Sequence, residues 1–339
     1  MPLSSSTAAV SMPDVVSDPC PDHRIGLEAI RRAAAIIDPV FLRSPQYRCG
    51  ALEDRLGCRL TLKLETTNPV RTFKGRGASL LVRSLGAAKD DAPLVSASAG
   101  NWGQALAHAC GAAGRPLVLF AAETANPVKV ARMRALGAEV RLTGVDFDAA
   151  KAAAEAHAAR SGGRFVADGR DVEASVGAGT IGMELLEAPE RFDVVLIPLG
   201  NGALATGVGR WIKAVAPSTR VIAVSAAGAD SMRQSWLEGR PIVRPAVDTI
   251  ADGLAVRVPE PAALVDMRGT VDDVIEVDDA AMRDAMRLLF DAAGLVAEPA
   301  GAAGVAAVLA ARDRFAGLSV ATIVTGSNIA PDLLGALVA

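Results

Sequence analysis

Apolar residues recur at helical spacing through residues 25–37, which predicts an amphipathic opening helix. Residues 39–47 read as a connector and 50–57 as a short helix. The β-rich run at 60–65 predicts a strand, which the Asn68-Pro69 pair stops. Beyond it, the apolar stretch 78–82 predicts a helix starting just past Gly77. Strand and helix patterns then alternate, with strands over 94–96, 116–121, 139–142 and 164–166 and helices over 103–114, 127–136 and 148–160. A second series runs helix 176–186, strand 193–198, helix 204–215 and strand 220–224, and closes with helices 278–293 and 301–311 and strand 319–324. Alternation of this kind builds parallel sheets covered by helices on both faces. An α/β fold with two sheets is expected, the first series inserted within the second, and no solenoid-length repeat interrupts it.

Composition narrows the classes. A chain of 339 residues that is 51% hydrophobic can bury a large core and should divide into two domains. The net charge of −3, without a basic stripe and with few aromatics, speaks against nucleic acid as a partner. Cys20, Cys49, Cys58 and Cys110 have no CxxC spacing, and His23, His108 and His157 are isolated, so no metal site is expected and the cysteines read as reduced thiols of a cytoplasmic protein. The apolar runs near 294–311 and 315–330 contain Glu298 and several small polar residues, and read as buried elements, not membrane spans. Residues 1–22 are rich in Ser, Pro and Asp and read as a mobile tail without a secretory signal.

Lysine is scarce: Lys63, Lys74, Lys89, Lys129, Lys151 and Lys213 are all there are. Lys74 stands out, in a glycine-flanked turn between a strand and a helix start, Thr72-Phe73-Lys74-Gly75-Arg76-Gly77. There a helix end, Arg71, Arg76 and partial burial would favour a neutral, nucleophilic amine; the bland alternative is a solvated turn lysine. Two further loops each follow a strand and open a helix. Ser98-Ala99-Gly100-Asn101-Trp102-Gly103-Gln104 would converge backbone N–H groups on a carboxylate, or simply cap its helix. Gly200-Asn201-Gly202-Ala203-Leu204 would cradle a phosphate. It also meets a loose dinucleotide fingerprint, but the next strand ends in Ser225 where that reading wants an acidic residue. Thr325, at the end of the last strand, would point into the ligand cleft, and Glu298 opens another helix.

Taken together these segments resemble the fold type II pyridoxal phosphate enzymes, the group of threonine dehydratase, serine racemase and threonine synthase, over nearly the whole chain from about Ile25. The family's Ser-Phe-Lys-x-Arg-Gly-Ala motif is similar to Thr72-Phe73-Lys74-Gly75-Arg76-Gly77-Ala78, its Ser-x-Gly-Asn-His-x-Gln loop to 98–104, its tetraglycine loop to Gly200-Asn201-Gly202-Ala203, and its Glu-Pro-x-Gly-Ala element to Glu298-Pro299-Ala300-Gly301-Ala302. The resemblance implies pyridoxal 5'-phosphate as cofactor, carried by Lys74 as a Schiff base. Phe73, Asn101, Gly200, Asn201, Gly202, Ala203, Leu204, Glu298 and Thr325 would surround it, Asn101 bonding its phenolic oxygen and Thr325 facing its pyridine nitrogen. Ser98, Ala99, Gly100, Asn101 and Trp102 would hold the substrate carboxylate. The cofactor phosphate would protonate the departing group.

A neutral partner such as Thr325 makes the ring a modest electron sink, which suits β-elimination better than chemistry needing a long-lived carbanion. The expected reaction is that of a lyase acting on a β-hydroxy or β-substituted L-amino acid such as threonine or serine, giving a 2-oxo acid and ammonia. A threonine synthase-like β-replacement enzyme and a non-catalytic scaffold are the alternatives. Ala99 stands where racemases carry a second serine, Trp102 replaces a histidine and would reshape the pocket wall, and Ser225 and Ser231 stand where a cation site would need acids. The expected organisation is a large cofactor-binding domain of residues 23–80 and 165–339, a small mobile domain of residues 81–164, and a homodimer.

Overall fold

Both faces of the main strands are apolar because both are covered. Along Val194–Pro198, Val194 and Leu196 join one core cluster while Val195 and Ile197 join another on the opposite side, the two-residue alternation of a strand buried twice. The computed structural model that shows this describes residues 18 and 20–338. Its strands in chain order are β1 (Gln46–Arg48), β2 (Arg59–Leu64), β3 (Leu94–Ala97), β4 (Leu117–Ala121), β5 (Glu139–Leu142), β6 (Arg164–Phe165), β7 (Val194–Pro198), β8 (Arg220–Ala226), β9 (Asp273–Val277) and β10 (Ser319–Val324). Six form a sheet in the order β1-β2-β10-β7-β8-β9, and four form a second in the order β5-β4-β3-β6. Only β1 runs antiparallel to its neighbour; the other pairings are parallel. The expected two-sheet α/β arrangement is therefore present, with the four-stranded sheet inserted between β2 and β7.

The register brings the functional loops together. Val324 pairs with Leu64 across β10 and β2, and Thr322 with Leu196 across β10 and β7, so these adjacent strands release their chains on one edge. Ligands bind at such edges in open α/β sheets. Behind it lies helix Pro299–Ala310, whose Ala- and Gly-rich sequence is buried through Val308. Its small side chains let backbones approach: a Cβ on Gly304 would stand 1.8 Å from Thr322 Oγ1.

Several boundaries differ from the sequence expectation, each for a local reason. Helices begin at Lys74, Asn101 and Val172 rather than at 78, 103 and 176; in the first two, glycines in the first turn hide helical character that tertiary contacts enforce. The sequence expectation also lacks β9, whose Asp273-Val274-Ile275-Glu276-Val277 run is flanked by acids, and the short elements β1, Ser231–Glu238, Pro261–Met267 and Pro331–Val338. Of the N-terminal tail, only Asp18 and Cys20–Asp22 fall within the described residues. There the buried guanidinium of Arg210 bonds Asp18 and the carbonyls of Cys20 and Ile25.

A buried ionic cluster ties the first helix after β2 to the sheet. Arg76, fully inaccessible, donates to Glu65 Oε1 and Oε2 at 2.8 and 2.9 Å and to Glu184 Oε1 and Oε2 at 2.6 and 2.9 Å. Lys63 adds a 2.7 Å bond to Glu184 and another to the carbonyl of Ser44. Burial works to push the Glu184 carboxyl up, but Arg76 and Lys63 outweigh it and hold it below the ordinary range. Removing one partner strands buried charge, so Arg76→Met should cost about 3–5 kcal/mol of stability. Chemical denaturation of parent and variant at neutral pH measures this.

Candidate active site

Asn68 shapes the loop that delivers Lys74. Its Oδ1 accepts from the N–H groups of Val70 and Thr72, and its Nδ2 donates to the carbonyls of Glu65 and Thr72, so one side chain substitutes for the turn's missing backbone bonds. The loop is then zipped to the segment after β10. Phe73 N–H donates to Thr325 O at 3.0 Å, Ser327 N–H to Arg71 O at 3.0 Å, and Thr72 bridges Gly326. Lys74, the first residue of helix Lys74–Ala87, thus stands beside Thr325.

A narrow cleft opens there, lined by Phe73, Lys74, Asn101, Gly200, Asn201, Gly202, Ala203, Leu204, Glu298 and Thr325. Every residue expected to surround the cofactor is among these. Asp168, Pro198, Gly253, Leu254 and Ala300 complete the wall. Asp168 is the one ionisable residue that sequence reading missed; its Oδ2 lies 2.6 Å from Lys74 Nζ. No local signal marks it, since its turn lies far from Lys74 along the chain.

The surroundings of Lys74 also differ from expectation. Arg76 is turned into its buried cluster and neutralised by two carboxylates, and Lys74 faces a carboxylate instead of bare cationic crowding. Glu298 is buried, and its Oε1 accepts from Asn101 Nδ2 at 2.6 Å, while Asn101 Oδ1 accepts from Asn328 Nδ2 at 2.8 Å. The amide plane of Asn101 is therefore set from both ends. Burial pushes the Glu298 carboxyl up, against the pull of Lys129, Asn101 and Lys74.

The phosphate-type loop is built as its glycines suggest. Gly202 has φ +96°, a left-handed conformation that side chains resist, and it precedes helix Ala203–Val215, which no side chain caps. That helix end offers N–H donors and a positive dipole to the cavity, so the donor set fits a phosphate, with the amine of Lys74 in the same cavity.

The loop 98–102 is less uniform than expected. Of its members only Asn101 lines the cavity. Ser98 N–H completes the sheet by donating to Phe120 O at 2.9 Å, and Ser98 Oγ accepts from Gly100 and Gly103 N–H at 3.2 and 2.9 Å. Ser98 thus serves as a cap, and its amide is not free for a substrate carboxylate. Ala99 and Gly100 are half-buried. Trp102 is 4% exposed and packs in the hydrophobic core: one residue beyond Asn101, helical rotation of about 100° carries its ring away from the cavity. It does not form the pocket wall. Ser225 Oγ and Ser231 Oγ donate to the carbonyls of Ile275 and Val256, and among the described residues no group of three or more His, Cys, Asp or Glu could hold a metal ion.

Comparison with known proteins agrees with this geometry. The profile of the pyridoxal-phosphate dependent enzymes matches residues 37–326, and the chain belongs to that family, with pyridoxal 5'-phosphate as its cofactor. It is 34% identical to an L-threonine ammonia-lyase of Thermotoga maritima over 93% of this chain and 78% of that one. To a serine racemase of Oryza sativa subsp. indica it is 31% identical, over 89% and 91%. The solved structure of maize serine racemase superposes with a TM-score of 0.85 at 30% identity, covering 91% of this chain and 95% of that one.

The state of Glu298 makes a prediction about stability. Its folded-state proton is held more tightly than in the unfolded chain, so between the two titrations the folded state binds more protons and stability falls as pH rises. Glu298→Gln keeps the oxygen that Asn101 needs and removes the charge. Its thermal midpoint, measured on cofactor-free protein, should match the parent near pH 4 and exceed it by a margin that grows as pH rises and levels off once the buried carboxyl has ionised.

Proposed function

We propose that the chain catalyses β-elimination on a β-hydroxy or otherwise β-substituted L-amino acid, threonine or serine foremost, releasing a 2-oxo acid and ammonia. The observation that carries this is the convergence of Lys74, Thr325 and the uncapped helix end behind Gly202 on one cavity, in a chain similar to a threonine ammonia-lyase.

In this reading Lys74 would hold the cofactor covalently, the Gly200–Leu204 segment and its helix end would hold its phosphate, and Asn101 and Thr325 would bond its ring. Bound there, pyridoxal phosphate supplies the electron sink that labilises the Cα–H bond. Lys74, as a free amine, would take the Cα proton. The N-terminus of helix Asn101–Ala113 attracts the substrate carboxylate through its dipole and through the N–H groups of Ala99 and Asn101. Thr325 carries no charge, so nothing in the wall supports a long-lived carbanion, and departure of the β-substituent follows proton removal. Ala99 provides no acid for the opposite face, which disfavours racemisation.

We also infer that residues 81–164 move as a small domain against residues 23–80 and 165–339. The contacts between them include the part-exposed ion pairs Lys129–Asp252, Lys151–Glu260 and Asp148–Arg257, which cost little to separate. We infer a cytoplasmic homodimer as well; the unpaired cysteines are consistent with a reducing compartment. Size-exclusion chromatography with light scattering tests the oligomer.

The first test is the visible absorption of the purified protein with pyridoxal phosphate, alongside Lys74→Ala. The parent should show a lysine-bound cofactor band that the variant lacks, and L-threonine or L-serine should shift that band as 2-oxo acid accumulates. A shift without product unless a second nucleophile is added would assign a β-replacement synthase instead.

A further inference from the structure

Elimination of a hydroxyl needs two proton movements, and the roles given above supply only one. Lys74 removes the Cα proton, while hydroxide is a poor leaving group and must be protonated as it departs. Besides Lys74, the ionisable residues lining the cavity are Asp168 and Glu298. Glu298 is occupied by Asn101. Asp168 has no task in the scheme above.

Asp168 is held where it is by a built turn. Between β6 and helix Val172–Glu187, the N–H groups of Arg170 and Asp171 donate to Ala167 O at 3.2 and 3.1 Å, and Asp171 Oδ2 accepts from Ala167 N–H at 2.7 Å. Gly169, at φ +83°, packs the turn directly on the Gly200–Gly202 loop: a Cβ there would come within 2.9 Å of Asn201 O. The carboxylate of Asp168, about one-tenth exposed, therefore lies in the cavity wall between that loop and Lys74, its Oδ2 2.6 Å from Nζ.

We propose that Asp168 is a catalytic proton relay, which receives the Cα proton from Lys74 and delivers it to the leaving group on Cβ. The proposal rests on Lys74 being the base. The step balances within the site. The Cα–H pair becomes the second Cα–Cβ bond, and the Cβ–O bond breaks with its electrons on oxygen. The proton passes from Lys74 Nζ to Asp168 and on to that oxygen, and water leaves. Lys74 and Asp168 return to their starting protonation, and the cofactor phosphate, to which the family resemblance gave this task, is not needed as the acid.

The test varies the leaving group. In holoenzyme, Asp168→Asn should lower turnover of L-serine and L-threonine by about 100-fold, the scale of a lost general acid. Turnover of L-serine O-sulfate and β-chloro-L-alanine, whose leaving groups depart without a proton, should fall less than about 3-fold. The variant should keep the lysine-bound absorption band, and in D2O it should still exchange the Cα hydrogen of recovered L-serine, read by mass spectrometry. Asp168→Glu should restore the hydroxyl substrates in part. Equal losses for both classes of leaving group would overturn the relay and reduce Asp168 to a partner that positions Lys74; no loss for either would overturn it as well. If Asp168→Asn does not load cofactor, the Asp168→Glu variant decides, since a relay predicts that its deficit is confined to hydroxyl leaving groups. A parent that binds cofactor yet eliminates from none of these substrates would instead sink the β-elimination reading itself, and the relay with it.

Discussion

The buried bond set of Arg76 is the constraint on which the aim of Lys74 depends. Arg76 lies two residues beyond the lysine, and its guanidinium is locked between Glu65 at the end of β2 and Glu184 on helix Val172–Glu187. A planar five-donor cation against two carboxylates has little freedom to rotate. It fixes the first turn of helix Lys74–Ala87 in height and in rotation, and thereby the direction in which the side chain of Lys74 leaves it. Such clusters need not add net stability over an apolar core; here the geometric return is that a long, flexible side chain emerges at one place in the cavity wall.

The rest of the site is an exercise in edge alignment. Three neighbouring parallel strands, β2, β10 and β7, end at one rim, and each hands over to a segment of the cavity: the Lys74 loop, Thr325, and the glycine loop before helix Ala203–Val215. Two of these segments are sewn together by backbone bonds between Phe73 and Thr325 and between Arg71 and Ser327. Asn101 opens the helix that follows β3 of the inserted sheet, and bonds to Glu298 and Asn328 tie its amide to the larger one. The Lys74 loop and Thr325 thus belong to one sheet, while Asn101 is brought to the cavity by the other.

Periodicity and loop chemistry made much of this legible beforehand. Strand and helix alternation is a property of side-chain spacing, and it carried the two-sheet arrangement with its inserted series. The glycine loop after β7 and the lysine turn after β2 could be read because their chemistry is local: backbone N–H groups at a helix start and one amine at a bend. Trp102 shows the limit of that reading. A motif position suggested a pocket residue, but the helix already begins at Asn101 and turns the next side chain into the core. Ser98 likewise looked available until the β3–β4 ladder claimed its amide.

What the sequence by itself determined is the set of elements, the loops that carry chemistry and the family to which they belong, because each depends on residues within a few positions of one another. Only the tertiary structure decided which charges face which. Arg76 turns away from Lys74 toward Glu65 and Glu184, and Asp168, remote in the chain, meets Lys74 across the cavity. The physical reason is that electrostatic partnership depends on distance in space and on burial, and neither is encoded in the spacing of residues along a chain.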